Sequence, residues 1–182
     1  MRYFTGFLVS VGLIILILVI ILKSGGSSNH PQPINLNSYA NSDATVQLTI
    51  DGPINADQIH QSIQISIGRS ESRSQLFQGY QGNIKTTNIY QNNQDAYTVF
   101  LHALNLVGFT KGNSDPKLSD ERGYCPAGER YVFELTESGD IERYWATSCG
   151  GQGTYGGSVI KTLDLFKKQI PDYNSIANNF VL

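Results

Sequence analysis

At 182 residues, with only 15% charged side chains and a formal charge of −2, the chain is long enough for one hydrophobic core beyond an anchoring segment and too short for two full domains. With Arg2 and Lys23 set aside, 11 basic side chains face 15 acidic ones, a formal charge of −4 that argues against nucleic acid and anionic lipid as partners.

The chain opens on an uncharged stretch from Tyr3 to Leu22 whose second half, from Leu13 onward, is wholly apolar. About 20 such residues at roughly 1.5 Å rise span a bilayer, and a helix satisfies its backbone polar groups internally there. The run is longer than the roughly 7 to 15 apolar residues of a cleaved signal. Residues 1–23 are therefore predicted to be a transmembrane signal-anchor, although Ser24-Gly25-Gly26 offers a peptidase its small-x-small pattern. A pilin-type leader cut after Gly6 is the other alternative. It lacks the acidic residue usual shortly after the cut, where Val11 stands, and Gly25-Gly26 breaks the helix a pilin continues. The charge comparison sets Arg2 and the amino terminus against Lys23, and so few residues precede the segment that the remainder is expected outside the cytoplasm.

Residues 24–43 are rich in Gly, Ser, Asn, Pro and Gln and read as a flexible tether. The domain is predicted over 44–182. Val46, Leu48 and Ile50 alternate with polar residues, the period of a half-buried strand, and Asp51-Gly52-Pro53 turns the chain. Ile59, Ile63, Ile65 and Ile67 mark a second strand, residues 68–73 a polar turn, and 76–80 and 84–90 two weaker strands separated by Gly79 and Gly82. The period then changes. Ala96, Val99, Phe100, Ala103, Leu104 and Val107 recur at helical steps, with Asn93 as N-cap and Gly108 as the stop.

After a polar loop at 111–123, residues 130–136 and 141–147 form a predicted hairpin turned by Ser138-Gly139. Glu137 then faces Asp140, Phe133 faces Tyr144, Glu134 faces Arg143 and Val132 faces Trp145. In that register Cys149 faces Gly128, three residues from Cys125, and Pro126 and Gly128 can bend the chain back. The only two cysteines, in a segment expected to be exported, suit one disulfide; two buried free thiols are the alternative. A glycine-rich loop at 150–157 leads to a last helix over 158–169 with Val159, Leu163 and Phe166 on its apolar side. The order is four strands, helix, hairpin, helix: an α+β fold with a mostly antiparallel sheet of about six strands and two helices behind an N-terminal transmembrane helix.

Candidate chemistry is sparse. Cys149-Gly150-Gly151 with His102 as base would make a thiol-dependent cell-envelope hydrolase, but nothing in the spacing ties His102 to Cys149. The glycine loop lacks the Gly-Lys-Ser/Thr of a phosphate loop and the dinucleotide fingerprint, so no cofactor is expected. His30, His60 and His102 are isolated in sequence and no acidic cluster has ligand spacing, so no metal is expected. Aromatic residues in a weakly charged, Asn- and Gln-rich domain suit contact with a glycan, a peptide or another envelope protein. Trp145, beside Arg143 on the mixed face of the hairpin, and Tyr155, in the glycine loop, are the candidate binding residues.

The block Cys125-Pro126-Ala127-Gly128-Glu129-Arg130-Tyr131, the run Tyr144-Trp145-Ala146-Thr147-Ser148-Cys149-Gly150 and the ending from Leu165 to Tyr173 resemble small single-pass, membrane-anchored extracytoplasmic proteins of reduced-genome bacteria. That resemblance covers the C-terminal third and implies an anchored exported domain without naming an activity. The leading expectation is a non-catalytic binding or envelope-assembly module in the cell membrane.

Overall fold

The computed structural model describes residues 34–178 and residue 180. The anchor expected at 1–23, with its apolar segment 3–22, and the tether residues 24–33 lie outside the described residues. Among the described residues no helix is long and apolar enough to cross a membrane.

Six strands, β1 (Thr45–Asp51), β2 (Gln61–Ile67), β3 (Glu71–Gln78), β4 (Asn83–Gln91), β5 (Arg130–Glu137) and β6 (Asp140–Thr147), form one sheet in the order β4-β3-β2-β1-β5-β6. Every pairing is antiparallel. The first four strands make a meander. Helix α1 (Gln94–Val107) then carries the chain back across one face, so that β5 pairs with the free side of β1. Helices α2 (Val159–Lys168) and α3 (Tyr173–Ala177) close the chain. The fold is α+β with an antiparallel six-stranded sheet, as the sequence predicts.

The two faces of the sheet follow from the period of two. Val46, Leu48 and Ile50 of β1 align with Ile67, Ile65 and Ile63 of β2, and on the other side with Leu135, Phe133 and Tyr131 of β5; all are buried. Onto this face pack Tyr97, Phe100, Leu101 and Leu104 of α1 and Phe166 of α2, whose ring meets Phe100 edge-on at 5.3 Å. Each such side chain removed from water stabilises the fold by about 1.5–3 kcal/mol. The opposite face presents Gln47, Thr49, Gln64, Ser66, Gln75 and Thr87, which are half-buried or exposed.

The hairpin register is the one predicted, with Glu137 opposite Asp140, Phe133 opposite Tyr144 and Val132 opposite Trp145. So is the capping of α1: the Asn93 side chain accepts from Ala96 N–H at 2.9 Å, and Gly108 ends the helix at φ +82°. Four details differ. The buried stripe of α1 is rotated from the expected one: Tyr97 and Leu101 point inward, while Ala96 and Val99 face solvent. Strand β3 starts at Glu71, with Ser72 and Ser74 buried at its inward positions; apolar periodicity could not reveal them. Ile59 lies before β2 and is exposed. The end of the expected tether is structured: Leu36–Asn41 is a 3-10 helix capped by Asn35, with Leu36 and Ala40 buried against the core. Two apolar residues in a polar run suffice because α1 supplies the rest of the contact, including Asn105 Oδ1, which accepts from Leu36 N–H at 3.3 Å.

Candidate functional site

At the end of the sheet where β1 finishes, three ionisable side chains meet. Asp51 is the last residue of β1 and Arg130 the first of β5, and they are directly opposite in the ladder. Arg130 donates from Nε at 2.8 Å and Nη2 at 2.5 Å to one carboxylate oxygen, Asp51 Oδ2, and from Nη2 to the Gly52 carbonyl. His60, just before β2, places Nε2 2.9 Å from the other oxygen, Asp51 Oδ1, and Nδ1 3.1 Å from the Pro53 carbonyl. His60 is 2% exposed and Arg130 1%, whereas the Asp51 side chain retains 26%. A buried charge is tolerated when paired and hydrogen-bonded, which this arrangement accomplishes for Arg130.

The backbone is shaped to allow it. Gly52 turns the chain so closely that a Cβ there would stand 2.8 Å from the Gln61 carbonyl, and its N–H donates to that oxygen at 3.1 Å. Tyr80, in the β3–β4 turn, stacks on His60 with ring centres 4.0 Å apart. Its hydroxyl donates to Asn55 O at 2.9 Å and accepts from Asn55 N–H at 3.1 Å, and its own N–H donates to Asp57 Oδ1 at 2.8 Å. The ring is thus held rigidly although Tyr80 is 53% exposed.

These residues line a cleft of about 320 Å³ with Ile54, Ser62, Glu121 and Arg122, and with Gly79, Gly82 and Gly123 leaving its walls bare. A larger depression of about 450 Å³ near α2 and α3, lined by Lys167, Ile170 and Tyr173, includes none of the three ionisable residues of this cluster.

One wall of the cleft is the loop before β5, and two of the residues singled out from sequence, Trp145 and Arg143, hold it in place. Trp145 is buried beneath this loop, its Nε1 donating to Leu118 O at 2.6 Å and its ring 4.9 Å from that of Tyr124. Arg143 pairs with Glu121 at 2.5 Å and Glu134 at 3.4 Å. Arg130 Nη1 reaches Tyr124 O at 3.5 Å, and Ile54 N–H donates to Pro126 O at 2.8 Å. Cys125 and Cys149 are joined in a disulfide, Cα atoms 5.8 Å apart, which ties the loop to the end of β6. The expected bend is present: Gly128 N–H donates to Cys125 O at 3.1 Å, and a Cβ on Gly128 would lie 2.6 Å from Cys125 Sγ. At the rim, the Arg122 guanidinium holds the Asp120 carboxyl down to about 2.

Tyr155 lies elsewhere. Its ring packs on Phe133 at 4.1 Å, its hydroxyl shares a hydrogen bond with Thr162 Oγ1 at 2.7 Å, and burial pushes its phenol up to about 12. His102 is exposed on α1, and Cys149, being bridged, has no thiol to offer it. Among the described residues no group of three or more acidic, histidine or cysteine side chains could hold a metal ion.

Sequence reasoning did not find Asp51, His60, Arg130 and Tyr80. Asp51-Gly52-Pro53 is legible as a turn, but Arg130 is 79 residues away and joins it only through the β1–β5 pairing. No protein-family model and no curated protein matches the chain.

Proposed function

We propose that the chain is a membrane-anchored, extracytoplasmic binding module without catalytic activity, which takes a glycan or peptide of the cell envelope in the cleft at Asp51, His60, Arg130 and Tyr80. The observation carrying this reading is the saturation of the cleft floor. Both ring nitrogens of His60 lie within 3.1 Å of an oxygen, Pro53 O or Asp51 Oδ1, and Asp51 Oδ2 accepts from Arg130. Groups so engaged form a stiff, shaped surface and are poorly placed to shuttle protons. The exposed Tyr80 ring, its hydroxyl already engaged, offers apolar area for stacking. Serine, arginine and glutamate at the walls supply directional polar contacts, and about 320 Å³ falls at the small end of the range for ligand clefts.

The cleft and Ile34, the first described residue, lie at opposite ends of β5. Ile34 packs beside Leu135, Glu137 and Ile141, at the end of β5 that carries the hairpin turn, while Arg130 and Asp51 are at the other end. Six residues of strand separate the two ends, about 20 Å. The apolar segment 3–22 and the resemblance of the C-terminal third to anchored exported proteins support the location.

Titration calorimetry of the detergent-solubilised chain with soluble muropeptides, which carry both saccharide and peptide, tests the ligand. Saturable heat that disappears in Tyr80→Ala is the expected result; heat that survives that change, or no heat at all, overturns it. Labelling intact cells with a membrane-impermeant thiol reagent tests the side. Modification of both cysteines only after reduction is expected, and modification only after the membrane is breached would overturn the orientation.

A further inference from the structure

Across the open face of the sheet, polar side chains bond to one another. Gln47 donates to Glu134, Ser66 to Gln47 and Gln75 to Thr87, and Arg143 pairs with Glu134. Three side chains next to the cleft do not. Ser62 and Gln64 of β2 and Thr49 of β1 are half-buried and find no hydrogen-bond partner among the described residues. They are contiguous, because Ser62 lies opposite Asp51 and Gln64 opposite Thr49, and these two rows are about 7 Å apart along the strands. Asp51 and Ser62 also line the cleft. The unused donors and acceptors therefore begin at the cleft floor and continue from it along β1 and β2.

We infer that the ligand of the cleft is an uncharged saccharide chain, which lies along β1 and β2 from Tyr80 over Ser62 to Gln64 and Thr49. This rests on the reading of the cleft as a binding site and names what it takes, a glycan and not a peptide. Charge is the first reason. The charged side chains that line the cleft are already paired within the protein: Asp51 with Arg130, Glu121 with Arg143 and Arg122 with Asp120. A charged ligand group would meet no free counter-charge there and would lose water without compensation.

The backbone is the second reason. An extended peptide is gripped through its main chain by the free edge of a strand. Here β1 is paired on both sides, with β2 and β5, and β2 with β1 and β3, so neither strand at the cleft has an edge to offer. What the site does offer is two hydroxyls and a carboxamide. Such groups both donate and accept, as the hydroxyls of a saccharide do. The exposed Tyr80 ring and Ile54 add flat apolar area for the C–H face of a pyranose ring.

Titration calorimetry on the full chain, in a detergent without a sugar headgroup, compares three probes: the β-1,4-linked tetrasaccharide of N-acetylglucosamine, an intact muropeptide, and the free peptide released from it. Saturable heat is expected from the tetrasaccharide and the muropeptide, and none from the peptide. The tetrasaccharide Kd should change by less than about twofold between about 50 and 200 mM salt, since no ionic contact is made. Gln64→Ala should weaken the tetrasaccharide about fivefold, the loss of one hydrogen bond, with the urea midpoint unchanged. Heat from the free peptide, or none from the tetrasaccharide, overturns the inference; a muropeptide that still binds then leaves the cleft standing as a binding site. A steep loss of affinity with salt overturns it too, as does a Gln64→Ala variant that binds like the wild type. Silence from all three probes overturns the reading of the cleft itself, and this inference with it.

Discussion

The two faces of the sheet are made by the same six strands and do different work. One is a wall of Val, Leu, Ile and Phe under four helical elements; the other is a field of Gln, Thr and Ser on which, among the described residues, the loop before β5 rests. The contrast separates where stability resides from where the molecule is free to meet something else. The covered face contributes its free energy through area removed from water. On the open face Gln47 donates to Glu134 at 2.7 Å, Ser66 donates to Gln47 at 3.0 Å and Gln75 donates to Thr87 at 3.2 Å, bonds that water can replace. The cluster of Asp51, His60 and Arg130 is the exception, a buried polar group at the end of a face that is otherwise open.

Truncation in the covered face is expected to cost most. Phe133→Ala, which removes a ring packed between Phe109 and Tyr155, should lower unfolding free energy by about 3–5 kcal/mol in urea melts. A cost near zero would mean that the helices do not cover this face in solution. Arg130→Ala should cost about 3 kcal/mol, the low end of the range for breaking a buried ion pair, because Asp51 keeps some contact with water. If it behaves like a surface substitution, the cluster at the end of the open face is not buried. Reduction of the disulfide, which closes a loop spanning 24 residues, should lower stability by about 3 kcal/mol. The same experiment should loosen the wall beside Arg130, read as faster amide exchange at residues 119–126.

A pH series sharpens the comparison from the apolar side. Tyr97, whose hydroxyl donates to Ala44 O at 2.6 Å beneath α1, has its phenol pushed up to about 12 by burial. A phenol with a raised value holds its proton longer in the folded state than in the unfolded one, so its contribution is intact below pH 10 and is lost between 10 and 12. Urea midpoints should therefore fall across that window, and fall less in Tyr97→Phe. The smallest effect is expected in the middle of the open face, where Gln64→Ala should change stability by no more than about 0.5 kcal/mol. A larger loss would reveal that something covers that face.

Alternation and helical period made most of the elements readable, since burial on one side imposes a period of 2 or 3.6 on the residues themselves. The hairpin was readable to the residue because Ser138-Gly139 sets both turn and register, and the disulfide was reachable from that register. What escaped was carried by residues whose neighbours supply the missing contact. Ser72 looks like part of a turn until β2 and β4 flank it, and Leu36 looks like linker until α1 lies over it. Trp145 and Arg143 were visible as unusual side chains, but only the loop above them shows that they brace the wall of the cleft.

The sequence by itself determined an apolar N-terminal segment, an α+β order of elements, two capped ends of α1 and two cysteines within three residues of facing each other across the hairpin. These are properties of neighbours along the chain, within reach of a turn or a helical period. The tertiary structure alone decided that β5 returns to the free side of β1, and with that the meeting of Asp51 with Arg130 and the stacking of Tyr80 on His60. Such contacts depend on strand order, which a local pattern does not encode, because each strand's alternation is the same whichever neighbour it takes.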